Sequence, residues 1–566
     1  MIKKMSTIQG STLIARALKT LGVTVVFGIV GIPIVEVAEA LIAEGIEFIA
    51  FRNEQSASYA AGAYGYLTGK PGVCLVVSGP GVIHALAGVA NAQQNCWPLL
   101  LLGGSPETDE NGTGAFQELD QVEACRHYCK FAFRPSSLGN MPSVIEKAFR
   151  TSFYGRPGAC YVDLPADFIK GNIARDAVIY KPPVPPPPKT LAHPTAVENA
   201  ARLLKTAKSP IIIIGKGAAY ARAEEELRRF VDVTGFPFLP TPMAKGVISD
   251  KHPLCIASAR SKALAEADVI LLLGARLNWV LHFGHRFNPV VKIIQADVHP
   301  EEVSNNMRSA VSLVGHLPSI VEQLHHSIVP YKYSPKTHFL QGLIAKSREN
   351  EEKLNKLYLD DHLPMSYHRA YWEIKYKLAE LSQGSEGLIW VNEGANSMDI
   401  ARVVFEMTEP RSRLDAGTFA TMGVGMGFAI AAQLVHPTKR VVAIVGDSAF
   451  GFSAMELETA ARAKISPIII VINNNGVYYG LDSESYANTN PLPPTALLPE
   501  VRYDLIANAC GGKGWLVHTP QELQKALLEA WKVQEKPVLL NVMIQPGGKK
   551  KLEFGWQTKK NNSAKL

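Results

Sequence analysis

The chain has 566 residues, of which 47% are hydrophobic and 19% charged, the composition of a globular protein large enough for several cores. Its net charge of +7 is uneven: segment 549–566 holds six lysines and one acid, Glu553, so it carries +5 and leaves +2 on the other 548 residues. That balance argues against a nucleic-acid groove in the body and marks a basic tail.

In chain order, the opening MIKKMSTIQG has lysines but no apolar core, so no signal peptide is expected. Window 23–43 is broken by Gly28, Gly31, Pro33, Glu36 and Glu39, which argues against a membrane span. The first block, 1–180, alternates strand-like runs at 24–30, 46–51, 73–78, 98–103 and 160–164 with helical stretches, a parallel α/β pattern. Within it, Cys125 and Cys129 lack a second Cys/His pair at zinc spacing, and the seven cysteines read as reduced thiols. The proline-rich segment 181–192 reads as a stiff extended linker. A second doubly wound block, 193–335, carries the runs 210–215, 267–275 and 291–297. A lysine- and glutamate-rich helical linker, 336–364, leads to the third block, 365–548, with strands expected at 387–391, 440–447, 467–473 and 537–544. The fold expected is α/β, with three doubly wound parallel-sheet domains.

The third block holds the most specific signal. In RVVAIVGDSAFGF, Asp447 ends an apolar strand ahead of a helix expected near Ser453. In PIIIVINNNGVYYG, five branched aliphatics run into Asn473, Asn474 and Asn475. Asp447 and Asn474 are 27 residues apart, about one βαβ unit, so both reach the same carboxyl edge of neighbouring strands, where open α/β sheets bind ligands. A carboxylate, an amide oxygen and a backbone carbonyl are hard ligands that suit Mg²⁺ and a phosphate. Taken singly, Asp447 is a helix cap and Asn474 a turn residue. Their joint placement favours the metal.

This GD…NN spacing resembles the Mg²⁺–diphosphate motif of thiamine-diphosphate enzymes, and the resemblance covers nearly the whole chain. It implies that Asp447, Asn474 and the backbone oxygen of Gly476 hold Mg²⁺, and that Ser448, Ala449 and Tyr478 contact the diphosphate. It further implies that Glu54, after the strand IEFIAF, exchanges a proton with the cofactor's aminopyrimidine. By the same resemblance Ile32 would lie near the cofactor and Met422 would wedge between its two rings. The plainer readings are a helix-dipole glutamate for Glu54 and core packing for Ile32 and Met422. Glu54 is implied to act on a cofactor bound by another subunit, hence a homodimer or homotetramer.

The runs GARLNW, PRSRLDAGT and VNEGANSMDIAR resemble the acyl-CoA-using branch of that family. By this resemblance Arg156, Lys216, Arg276 and Asp297 hold an ADP group, and Arg260 and Arg413 meet CoA phosphates. Two members compete, 2-hydroxyacyl-CoA lyases and oxalyl-CoA decarboxylases. An aldehyde leaves only if the 2-hydroxyl loses its proton, and His84, after the glycine-rich turn SGPG, is the candidate base, against a structural histidine. The decarboxylases carry a Tyr–Glu pair where this chain has Phe116 and Gln117, which favours the lyase and makes Gln117 a candidate site residue. Ala420 stands where the lyase pattern has glycine. The third reading, a non-catalytic partner of the same fold, would have lost Glu54, Asp447 or Asn474, and all three are present. The terminus Ala564-Lys565-Leu566 is a close variant of the S-K-L address, which implies a peroxisomal import receptor as a partner and a peroxisomal location, with a cytoplasmic share left open. That address fits a role in fatty-acid α-oxidation.

Overall fold

The computed structural model describes residues 6–384 and 387–547. Three all-parallel sheets organise it. The first runs, in spatial order, Glu47–Ala50, Val25–Gly28, Gly72–Val76, Leu99–Ser105, Ala159–Pro165, Phe131–Phe133. The second runs Phe238–Pro240, Pro210–Ile214, Val269–Leu273, Lys292–Asp297, Val311–Val314. The third runs Arg413–Asp415, Leu388–Glu393, Arg440–Gly446, Ile468–Asn473, Val538–Met543, Lys513–Val517. A short antiparallel pair, Thr7–Gln9 with Asn172–Ala174, joins the start of the first block to its end.

The doubly wound parallel fold expected from the sequence is present. The apolar runs became the central strands because a strand covered on both faces needs side chains like those of Ile468–Ile472, all fully buried. Within the three parallel sheets five strands had no such run, namely Phe131–Phe133, Phe238–Pro240, Val311–Val314, Arg413–Asp415 and Lys513–Val517, and all five are sheet edges. One further expectation is corrected. The segment after Asp447 forms a single helical turn, Asp447–Phe450, and the next helix is Glu456–Arg462 rather than one starting near Ser453.

Two contacts between blocks position the site. Helix Glu54–Thr68 of the first block packs on helix Gly425–Val435 of the third, and a Cβ on Gly427 would lie 2.7 Å from the Ser56 carbonyl oxygen, so glycine is what allows the approach. The proline-rich segment runs extended and touches both the first and the second block. Tyr154 donates to the Pro185 carbonyl at 2.9 Å, and the His316 N–H donates to the Thr190 carbonyl at 3.0 Å. The lysine- and glutamate-rich stretch forms helix His338–Tyr358. The basic tail and its terminal tripeptide lie outside the described residues.

Candidate active site

Each parallel sheet has a switch point beside its first strand, between Val25–Gly28 and Gly72–Val76, between Pro210–Ile214 and Val269–Leu273, and between Leu388–Glu393 and Arg440–Gly446, and Glu54, Lys216, Arg276, Asp297, Asp447 and Asn474 lie at carboxyl edges near these points. In the third sheet, Gly446 is in register with Ile472, so Asp447 and Asn473 leave their strands side by side. The three asparagines divide the work. Asn473 donates to the Asn541 side chain at 3.1 Å and accepts the Asn475 N–H at 3.1 Å. Asn475 sits at φ 59° and holds Leu481 and Glu500 backbone groups at 3.0 Å each. Among the described residues Asn474 commits only its Nδ2, to the Tyr478 carbonyl at 3.2 Å, and its amide oxygen is left uncommitted. The Asp447 carboxylate accepts the N–H groups of Ser448 and Gly476, each at 2.9 Å. Burial pushes its carboxyl up to about 7, and no cationic side chain pairs with it among the described residues. A Cβ on Gly476 would lie 2.5–2.6 Å from Tyr479, Gly480 and Thr495 backbone atoms, so only glycine fits there. Ser448 and Ala449 belong to the helical turn that opens at Asp447. Met422 is half-buried in the turn between the 3-10 turn Gly417–Phe419 and helix Gly425–Val435.

In the first sheet, Glu54 opens its helix, and Asn53 caps that helix by accepting the Gln55 N–H at 2.7 Å. His84, on helix Pro80–Asn95, sets its Nδ1 3.1 Å from Glu54 Oε2, and its side chain is 60% exposed. Gln117, at φ 55°, faces the turn before that helix, where Ser78 Oγ donates to Gln117 Oε1 at 3.4 Å. Phe116 and Ile32 are both 67% exposed.

A cavity of about 960 Å³ lies between the second sheet's carboxyl edge, the proline-rich segment and the third block. It brings together Arg156, Lys216, Arg260, Arg276, Asp297 and Arg413, and it reaches the Met422 segment through Gly417 and Thr418. Glu54, His84, Asp447 and Asn474 do not line it. Its cations are poorly neutralised. Burial pulls the Lys216 amine down to about 7, and burial with the repulsion of Arg402 and Arg286 pulls Arg260 down to about 10. Burial, then the Arg260 charge, lowers His282 to about 4. Arg413 is fully buried, 3.4 Å from Asp415, with its Nη1 unpartnered, and His282 Nδ1 is likewise unpartnered. Arg156 pairs with Glu302 at 2.9 Å and donates to Cys96 Sγ at 3.1 Å. Arg276 donates to the Gln94 carbonyl at 2.7 Å and to Thr418 at 3.1 Å. Burial raises the Asp297 carboxyl, which accepts the His299 N–H at 2.9 Å.

The sequence reading missed Arg402, His282 and Cys96 as lining residues. Arg402 was within reach, four residues after Met398 on helix Ala395–Val404, so both face the cavity. Nothing local marks His282, whose φ of 52° puts a non-glycine residue in the left-handed region.

Comparison with known proteins agrees with this geometry. The pattern for the thiamine pyrophosphate enzyme N-terminal TPP binding domain matches residues 8–124, that for the central domain matches 197–324, and that for the C-terminal TPP binding domain matches 393–542. The chain is 49% identical over 570 residues to 2-hydroxyacyl-CoA lyase 1 of Homo sapiens, covering 98% of each chain. It is 42% identical over 556 residues to 2-hydroxyacyl-CoA lyase of Oryza sativa subsp. japonica, covering 95% of this chain and 96% of that one. It is 40% identical over 543 residues to oxalyl-CoA decarboxylase of Escherichia coli (strain K12), covering 95% of each.

Proposed function

The chain belongs to the thiamine pyrophosphate enzymes, and from that premise we propose that it cleaves the C1–C2 bond of 2-hydroxyacyl-CoA thioesters, giving formyl-CoA and an aldehyde one carbon shorter. The observation that carries the lyase over the decarboxylase within this chain is the pairing of His84 with Glu54 at 3.1 Å. With Nδ1 engaged by the carboxylate, Nε2 is the free acceptor on an exposed imidazole.

The residues present fit the cofactor and its metal. Asp447 is a buried carboxylate without a cation, Asn474 has an uncommitted amide oxygen, and Gly476 cannot carry a side chain. Mg²⁺ takes such hard oxygens and completes its shell with phosphate. Asp447, Asn474 and the Gly476 carbonyl would hold it, Ser448, Ala449 and Tyr478 would meet the diphosphate, and Ile32 and Met422 would pack against the rings. Bound thiamine diphosphate supplies the electron sink for the carbon–carbon bond that breaks. Glu54 holds the proton exchanged at the cofactor's pyrimidine. His84 takes the 2-hydroxyl proton as the bond breaks, and the same proton ends on the formyl carbon, so the substrate divides into two products with no atom added. Gln117 stands beside the turn that leads to His84 and orients the thioester.

The cavity's excess of buried cations suits the phosphates of the acyl-CoA, with Arg260 and Arg413 on CoA and Arg156, Lys216, Arg276 and Asp297 on an ADP group. Exposed apolar side chains at the two carboxyl edges, Ile32, Ile83 and Phe116 on one and Phe419, Phe452 and Met455 on the other, are what a second copy would cover. That supports a homodimer or larger homo-oligomer in which Glu54 serves the partner's cofactor. The Ala564-Lys565-Leu566 terminus supports recognition by a peroxisomal import receptor.

The test pairs two substrates, with Mg²⁺ and thiamine diphosphate present throughout. A long-chain 2-hydroxyacyl-CoA should yield aldehyde and formyl-CoA at higher kcat/KM than oxalyl-CoA yields CO₂. His84→Ala should lower aldehyde release by about 10²-fold or more while leaving CO₂ release nearly unchanged. CO₂ from oxalyl-CoA with no aldehyde from the first substrate would make the protein a decarboxylase.

A further inference from the structure

Glu393 ends the strand Leu388–Glu393 and is fully buried. Its Oε1 accepts the Gly423 N–H, and its Oε2 accepts the Gly425 N–H at 2.7 Å. No lysine, arginine or histidine pairs with it among the described residues. A buried anion without a counter-charge is expensive, and here it is offset by backbone N–H groups at the start of the 11-residue helix Gly425–Val435. The fit is close. A Cβ on Gly425 would lie 2.6 Å from Oε2 and 2.7 Å from Val445 Cγ1. The other side of the same segment is anchored to the first block: Thr421 Oγ1 donates to Asn91 Oδ1 at 3.0 Å, and the Thr418 N–H donates to Asn95 Oδ1 at 2.8 Å. Met422 is the residue between these two anchorages.

We infer that Glu393 is a positioning residue, whose carboxylate clamps the Gly423–Gly425 backbone and so fixes the Met422 side chain in place before the cofactor binds. This rests on the reading of Met422 as the ring wedge. A carboxylate accepts at both oxygens, whereas an amide accepts at only one and turns a donor toward the other N–H. Glu393→Gln therefore keeps the shape and breaks half of the clamp. Burial pushes the Glu393 carboxyl up to about 7, so measurements at pH 8 keep it ionised.

The test follows hydrogen exchange over 420–426 in the cofactor-free full chain, together with thiamine diphosphate affinity and steady-state kinetics. In Glu393→Gln we expect the Gly423 and Gly425 amides to exchange at least tenfold faster. Thiamine diphosphate Kd should rise at least tenfold, kcat should fall even at saturating cofactor, and KM for the acyl-CoA should stay within twofold. Unchanged amide protection overturns the clamp, and faster exchange with unchanged cofactor affinity overturns its positioning role. The Met422 reading fails separately: Met422→Ala would then bind the cofactor as wild type does, with the 420–426 amides still protected. Should Glu393→Gln not fold, Gly425→Ala displaces the same carboxylate oxygen by its methyl group, and the same two readouts must move.

Discussion

Glu456 joins the third block to the residues just ahead of Glu54, and replacing it by glutamine separates its titration from its shape. The side chain is 1% exposed, and its carboxylate accepts the Arg52 N–H at 3.3 and 3.2 Å and the Thr459 hydroxyl at 2.6 Å. Burial pushes the carboxyl from 4.5 up to about 7, against the opposing effect of these hydrogen bonds and of Arg462. A folded-state value above the unfolded one means that, between these two pH values, the folded chain holds a proton the unfolded chain has lost. Stability therefore falls as pH rises through that window and levels off above it. The gap corresponds to on the order of 3 kcal/mol. Glu456→Gln cannot titrate, so relative to wild type it should gain on the order of 3 kcal/mol between pH 4.5 and pH 8. Urea unfolding of both cofactor-free proteins across this range measures the difference, and the similar contributions of Glu393 and Asp447 cancel because both proteins carry them. At pH 8 the variant also holds the Arg52–Asn53 backbone less firmly, so kcat should drop several-fold with little change in acyl-CoA KM. Parallel stability curves would refute the claim that Glu456 is a buried, protonatable link.

Three further outcomes are expected. Glu54→Gln should bind Mg²⁺ and thiamine diphosphate as wild type does while turnover falls by about 10²–10⁴-fold, measured by calorimetry and aldehyde release; wild-type turnover would remove Glu54 from the mechanism. The pair Phe116→Tyr with Gln117→Glu should raise the ratio of CO₂ formed from oxalyl-CoA to aldehyde formed from 2-hydroxyacyl-CoA by at least about tenfold, and an unmoved ratio would mean that these positions do not set the reaction. Ala420 sits at φ 55°, in the left-handed region. Ala420→Gly relieves about 1–2 kcal/mol of strain against about 0.4–1 kcal/mol of added unfolded-state entropy, so the urea midpoint should rise modestly; a lower midpoint would contradict this.

The central strands and the residues at their ends were legible in the chain. A parallel strand covered on both faces must be a continuous apolar run, as in RVVAIVG and PIIIVIN, and the turn residues that follow it must face the carboxyl edge. Asp447 and Asn474 were therefore legible from spacing alone, and their adjacency follows from the register of Gly446 with Ile472. Of the six edge strands in the parallel sheets only Glu47–Ala50 was legible; strands such as Arg413–Asp415 or Phe131–Phe133 pair on one side only and need no apolar signature. Nor was the cavity, whose cations Arg156, Lys216, Arg276 and Arg413 come from all three blocks, so that the repulsion of Lys216 by Arg276 and Arg156 arises only when folding brings them to one space. Tertiary structure alone decided the roles of Glu393 and Glu456. A glutamate in a chain is an ordinary charge, and it becomes a clamp or a titrating link only when distant backbone N–H groups, 30 and 404 residues away in sequence, are the partners left to it after water is excluded.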